Sequence, residues 1–155
     1  DKKAIILNIK SQEELEKAVG EIRANFPNEK LIVQPMMDIK TELILGIKKD
    51  DVFGPILVYG LGGIYTEVFK TVDFLVPPLG LEEIRNRLAS SKINFLFKET
   101  RGQKPYDIEE LANILWGLSF FARELSEEIS EFGINPLLIY NDDKEVVAVD
   151  IKIII

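Results

Sequence analysis

Three places in this sequence bring together residue types that can hold phosphate or a hard cation. Gly60-Leu61-Gly62-Gly63 lies between two strand-like runs. Glycine permits positive φ and has no Cβ, so such a loop can bring backbone amides close to an anion. It lacks the Lys-Ser or Lys-Thr and the helix that follow a P-loop, so a structural turn is the competing reading. Ile134-Asn135-Pro136-Leu137 enters a strand, and Asp150 lies on the strand that returns from it. An amide oxygen and a carboxylate side by side suit a Mg²⁺ that keeps several waters and bridges nucleotide phosphates. A turn asparagine and a strand-end aspartate would give the same spacing. Glu42 and Glu67 are acids inside otherwise apolar strands, and simple alternation could turn both to solvent. The run Lys98 to Pro105, with Arg101 and Gly102, is a basic loop that could meet phosphate or remain a solvated loop.

The elements that would position these groups follow from periodicity. Ala4 to Ile9 has strand length, and Ser11-Gln12-Glu13-Glu14 reads as a capping box in which Ser11 accepts an amide while Glu14 reaches back. Leu15, Val19, Ile22 and Phe26 then form one apolar helical face, ended by Pro27-Asn28. Leu31 to Gln34 and Glu42 to Lys48 read as strands on either side of a polar turn at 38–40. A linker, Lys49 to Pro55, leads into Ile56 to Tyr59, the glycine cluster, and a strand through Glu67 to Phe74.

After Pro77-Pro78, Leu81 to Ala89 predicts a short helix with Ile84 and Leu88 inward, and Ile93 to Phe97 is apolar but of undecided type. Asp107 caps a long helix with the stripe Ile108, Leu111, Leu115, Leu118, Ala122 and Leu125. Trp116, Phe120 and Phe121 are assigned to the core. Leu137 to Tyr140 and Val146 to Ile153 form a terminal hairpin whose second strand is apolar enough to be buried. Strands outnumber helices and are joined by short turns, so the class is α+β with a largely antiparallel sheet.

Composition narrows the chemistry. With 155 residues, 46% hydrophobic and 29% charged, the chain is of single-domain size and can build a core. Nineteen basic against 26 acidic residues leave a net charge of −7, which argues against nucleic acid and anionic membranes as partners. Neither cysteine nor histidine occurs. Disulfides, thiolate and histidine metal sites, a serine–histidine triad and a phosphohistidine carried by this chain are thereby excluded. No apolar run is long enough to span a bilayer, and the expected location is cytoplasmic. The sequence starts at Asp1 without an initiating methionine, as a cut end of a longer chain would.

Taken in order, Val33-Gln34-Pro35-Met36, Thr41 to Gly46, Phe53-Gly54-Pro55, Gly60 to Gly63 with Glu67, Arg101-Gly102 with Pro105 and Asp107, and Ile134 to Leu137 with Ala148-Val149-Asp150 follow one familiar pattern. The chain resembles the ATP-grasp domain of ADP-forming (NDP-forming) acyl-CoA synthetases, in particular acetate-CoA ligase β subunits, and more distantly the succinyl-CoA synthetase β subunit. The ordered set covers essentially the whole chain; no single motif would suffice. The resemblance implies an ATP-grasp-like carboxyl-terminal lobe over 34–155, with 1–33 the remnant of a truncated amino-terminal lobe. It implies a reaction of ATP, a carboxylic acid and CoA to acyl-CoA, ADP and phosphate through an acyl phosphate and a phosphohistidine. By motif position Gln34 lies at the hinge beside the adenine, and Glu42 contacts the nucleotide. Gly62, Gly63, Glu67 and Arg101 form a phosphate loop or subunit contact, and Asn135 and Asp150 ligate Mg²⁺ with ATP or ADP. The partner implied is a CoA-binding domain or subunit.

The departures from that pattern carry equal information. The family's longer amino-terminal part holds a strand lysine and a histidine segment before a Gly-Gly pair, where this chain has Lys3-Ala4. The acid usually found two residues before the motif asparagine is Gly133 here, so no catalytic residue is assigned. Glu131 is near, but a two-residue displacement along a strand moves a group by about 7 Å. Two functions therefore stand side by side: the nucleotide part of a synthetase completed by another domain or subunit, and a degenerate module with a regulatory or assembly role. A homo-oligomer through the uncovered strand Ala4 to Ile9 and the hinge surface is a further expectation, against which a monomer across micromolar concentrations would count.

Overall fold

The computed structural model describes residues 4–37, 41–63, 71–99, 102, 104–124, 127–140 and 146–155. The chain divides into two compact units, Asp1–Asp38 and Ile39–Ile155. The first is organised by one helix, α1 (Gln12–Asn25). Ser11 Oγ accepts from the Glu14 amide at 3.1 Å, as the capping sequence requires. The Glu14 carboxylate reaches one residue further back than a standard box, accepting from the Lys10 amide at 2.7 Å. Ala18 is buried, with Leu15, Val19, Ile22 and Phe26 partly covered along the expected face.

Ala4 to Ile9 and Leu31 to Gln34, both expected as strands, are not strands. Apolar composition alone does not make one, because a strand exists only where a neighbour completes its ladder, and the described ladders join other segments. Ile5, Leu7, Ile32 and Val33 are exposed. The edge on which self-association was expected is therefore not a strand edge.

The second unit is a mixed-order antiparallel sheet with helices, the α+β arrangement expected. Its strands are β1 (Thr41–Asp50), β2 (Gly54–Leu61), β3 (Val72–Leu75), β4 (Glu131–Ile139), β5 (Val147–Ala148) and β6 (Ile151–Ile154), in the order β3-β2-β1-β4-β5, with β6 also on β4. All described pairings are antiparallel. Lys49 to Pro55 is not a linker but a hairpin: Lys49-Asp50 end β1, Gly54-Pro55 begin β2, and Asp50 pairs with Gly54. The Asp50 carboxylate accepts from the Val52 and Phe53 amides, both at 2.9 Å, closing the turn.

One sheet face is apolar at alternate positions. Leu43, Leu45 and Ile47 of β1 face the core beside Leu57 and Tyr59 of β2 and Phe132, Ile134 and Leu137 of β4. This face meets α2 (Leu81–Ser90) and α3 (Ile108–Glu124), which pack on each other, with α3 also on β2. Ile84 and Leu88 are fully buried, as their spacing predicts, and Leu111, Leu115 and Ala122 of the α3 stripe are buried. Leu125 lies outside the described residues. The undecided segment holds a 3-10 turn over Asn94–Phe97. Arg85 grips the Glu109 carboxylate with Nε at 2.9 Å and Nη2 at 2.7 Å, clipping α2 to α3, and the clip raises the guanidinium pKa. Burial pushes the Tyr59 hydroxyl up to about 12, helped by the Asp73 carboxylate on the neighbouring strand.

Two aromatic assignments change. Phe121 packs on the core, edge-on to Phe132 at 5.2 Å, but Trp116 and Phe120 are partly exposed. They lie four residues apart on a neighbouring face of α3 and pack edge-to-face on each other at 5.1 Å, with the Arg123 guanidinium over Phe120. The expected buried second strand is also corrected. Strand β6 is exposed along its length, because it lies at the sheet edge, where alternation does not guarantee a cover.

Candidate functional site

Five of the residues that sequence spacing singled out, Glu42, Gly62, Gly63, Asn135 and Asp150, lie together where β1 begins and β2 ends. Glu42 is the second residue of β1, partly buried, opposite Leu138 of β4. On its other side the Gly62 amide donates to the Glu42 carbonyl at 2.8 Å, extending the β1–β2 ladder past Leu61. Gly62 passes so close to β1 that a Cβ there would lie 2.8 Å from the carbonyl carbon and oxygen of Leu43. Gly63 turns away at φ +61°, and a Cβ on it would run into Oε2 of Glu42. The Glu42 carboxylate thus rests against a bare α-carbon, an approach only glycine allows.

Asn135 reaches the same place from β4. Leu43 pairs with Leu137 while Leu45 pairs with Ile134, so Asn135 and Pro136 together oppose Ile44 in a bulge. The peptide between them is cis. The Asn135 side chain is exposed, and its Oδ1 accepts from the Gly63 amide at 3.5 Å, across the intervening β1. That distance is longer than the usual range of about 2.7–3.2 Å, so both the amide and the oxygen retain capacity for a stronger partner. On the outer side of β4 the Asn135 amide donates to the Asp150 carbonyl at 3.1 Å, and the Val149 amide to the Pro136 carbonyl at 3.1 Å. The ladder that pairs β4 with β5 and β6 therefore runs through Asn135, and places the exposed Asp150 directly across from it.

Glu42, Gly62, Gly63, Asn135 and Asp150 thus lie at one end of the sheet, contributed by β1, β2, β4 and the segment before β6. Two carboxylates here would repel a phosphate chain unless a cation lay between them. Asn135 and Asp150 offer two exposed oxygen donors, which fits a divalent ion that keeps water and phosphate oxygens in its remaining positions. Among the described residues there is no group of three or more acids that could hold a metal without such help.

The remaining candidates divide. Gln34 belongs to the first unit, exposed and outside any helix or strand. Glu67 and Arg101 lie outside the described residues. Gly133 sits opposite Gly46 in β1, two residues before Asn135 on the same face. One positioning contact went unread in the sequence: Thr41 Oγ1 and the Tyr106 hydroxyl lie 2.6 Å apart, tying the residue before Glu42 to the entry of α3. The two are 65 residues apart and belong to no motif, so no local signal announces them.

Comparison with known proteins gives these positions a context. The family described as "ATP-grasp domain" matches residues 1–155. The chain is 33% identical to the β subunit of acetate–CoA ligase [ADP-forming] II of Pyrococcus furiosus and 35% identical to that of isoenzyme I, in each case over its whole length and 69% and 68% of theirs. Among solved structures it is similar to the dinucleotide-forming acetyl-coenzyme A synthetase 1 of Ca. Korarchaeum cryptofilum in complex with coenzyme A and Mg-AMPPCP. That likeness has a TM-score of 0.84 and 35% identity, over 96% of this chain and 66% of that one. The chain therefore spans about two thirds of the length of these relatives. No described helix is long and apolar enough to cross a membrane.

Proposed function

Because this chain belongs to the ATP-grasp domain family, alongside the β subunits of ADP-forming acetate–CoA ligases, we propose that its second unit holds the phosphate end of a magnesium nucleotide for an acyl-CoA synthetase. The reaction served is carboxylic acid, CoA and ATP to acyl-CoA, ADP and phosphate. A CoA-binding domain or subunit supplies the acyl chemistry and the phosphohistidine that a histidine-free chain cannot, and the setting is cytoplasmic. The observation that carries the reading is the convergence of Glu42, the Gly63 amide and Asn135 at one end of the sheet, with Asp150 across from Asn135.

Each residue has a distinct role. Asn135 Oδ1 and the Asp150 carboxylate would hold Mg²⁺, which when bound supplies positive charge against the phosphate oxygens. The Gly63 amide, only weakly engaged at 3.5 Å, turns to a phosphate oxygen. Glu42, held against Gly63 by the absence of a Cβ, accepts from a nucleotide hydroxyl or amine. Glu67 and Arg101 complete the phosphate loop or meet the partner. Phosphoryl transfer asks for such positioning and charge neutralisation more than for covalent help.

A second reading, a degenerate module with a regulatory or assembly role, draws on Gly133. A Cβ at Gly133 would meet nothing within 4 Å, so packing does not forbid a carboxylate there, and yet none is present. Isothermal titration with Mg-ADP and Mg-ATP decides between them. Micromolar binding that is lost in the Asn135→Ala, Asp150→Ala double variant is the expected result. No heat at millimolar nucleotide would remove the nucleotide reading and leave the scaffold.

A further inference from the structure

The face of the sheet that carries Asn135 and Asp150 also carries a cation that the nucleotide reading leaves unused. Lys152 of β6 pairs directly across from Gly133, and Asp150 directly across from Asn135. These four positions form a block on two adjacent strands, with side chains on the same face. Directly opposed residues in an antiparallel pair have Cβ atoms about 5 Å apart, and Asp150 and Lys152 are separated by about 7 Å along the strand. Both spans are within reach of a lysine side chain.

The space over Gly133 is open. A Cβ there would touch nothing within 4 Å, in contrast to Gly46 on its other side, where a Cβ would come 3.0 Å from the Phe132 carbonyl. The notch is therefore not imposed by close packing around Gly133, and it lies directly across from Lys152, next to the site. Lys152 Nζ now contacts Glu131 Oε1 at 3.2 Å, an ion pair whose two side chains are 65% and 46% exposed. Such a pair contributes little and is easily exchanged. Glu131 would not be stranded by the exchange, because Lys48 of β1 is its direct cross-strand neighbour.

We propose that Lys152 is a phosphate-contacting residue: it leaves Glu131, lies across the Gly133 notch and donates to the terminal phosphate of a nucleoside diphosphate or triphosphate held at Asn135 and Asp150. The inference rests on the nucleotide reading above and adds to it a charge contact and a specificity. In a chain of net charge −7, with Glu42 and Asp150 at the site, a lysine beside the phosphates offsets repulsion that one divalent ion only partly cancels.

Isothermal titration of the wild-type chain and the Lys152→Met variant with Mg-ADP, with adenosine as a ligand that has no phosphate, tests this. The expected result is a roughly tenfold or greater loss for Mg-ADP, in line with a hydrogen bond to a charged group, with adenosine binding and the thermal midpoint unchanged. Lys152→Arg should restore most of the Mg-ADP affinity. Mg-ADP binding by Lys152→Met as tight as by wild type would overturn the contact while leaving the nucleotide reading intact. Equal losses for Mg-ADP and adenosine would overturn it as well, by marking Lys152 as structural. A wild-type chain that binds no Mg-ADP would take away the premise and the inference together.

Discussion

The two ends of the β1–β2 ladder each set a carboxylate near a glycine of positive φ, and they use the pair in opposite ways. At the closed end Asp50 directs its carboxylate into the turn, accepting two backbone amides at 2.9 Å, and Gly54 at φ +71° resumes the ladder. The acid is consumed by the fold. At the open end Glu42 lies against Gly63, at φ +61°, and its side chain accepts no hydrogen bond from another described residue. The nearby Gly63 amide is only loosely held by Asn135. A closed turn satisfies its own polar groups, whereas at the open end Glu42 and the Gly63 amide are left weakly engaged. The same residue types at similar backbone geometry thus become structure in one place and a candidate site in the other.

The largest effect at the open end should come from Gly62. Gly62→Ala would set a methyl 2.8 Å from the Leu43 carbonyl, and since the obstacle is backbone inside the ladder it cannot swing aside. A loss of about 1–3 kcal/mol in urea-derived stability is expected, the range of overpacking in a well-filled region. A variant as stable as wild type would show that the approach of β2 to β1 is looser than described.

Gly63→Ala and Gly54→Ala compared side by side sharpen the contrast. Both place an L side chain at positive φ, so each should lose about 1–2 kcal/mol. Around Gly54 a Cβ meets nothing within 4 Å, while around Gly63 it meets the end of the Glu42 side chain, which can rotate away. Stability losses should be similar, but only Gly63→Ala should weaken Mg-ADP binding in titration, because only there is a proposed nucleotide contact displaced. Equal binding by the two variants would count against Gly63 and Glu42 as a nucleotide-contacting pair.

How much of this was legible in the sequence follows from the range of the interactions. Local signals served well: Ser11 and Asp107 mark helix starts, and Ile84, Leu88, Leu111 and Leu115 mark buried faces, because capping and amphipathicity act over one to four residues. Strand assignments held where a partner exists, as for β1 and β2, and failed for Ala4 to Ile9 and Leu31 to Gln34, since pairing is a non-local property. Exposure of β6 was missed for the same reason: apolar content says that a residue can be buried, and topology says whether anything covers it. At the site, residue types were readable from motif order. Their meeting, through a bulge that brings Asn135 across β1 and a Thr41–Tyr106 contact spanning 65 residues, depends on register that no short window contains.

The smallest effect belongs to the closed end and depends on pH. Hydrogen bonds from the Phe53 and Val52 amides, aided by Lys48, hold the Asp50 carboxyl below its ordinary value. A depressed folded-state pKa means that the ionised form favours the fold. The contribution is fully present above the unfolded value of about 3.9 and disappears as pH falls through the folded one. Asp50→Asn keeps an oxygen that can accept the same amides but removes the titration. Urea midpoints of wild type and variant, measured from pH 6 down to pH 2, should therefore differ most at the upper end and converge in acid. Glu42→Gln, which removes an acid that closes no turn, should leave the urea midpoint near wild type at pH 6 and appear in nucleotide titration instead. A gap between wild type and Asp50→Asn that stays constant across the range would mean that the turn does not draw on the charge of Asp50, and the distinction between the two ends would then rest on geometry alone.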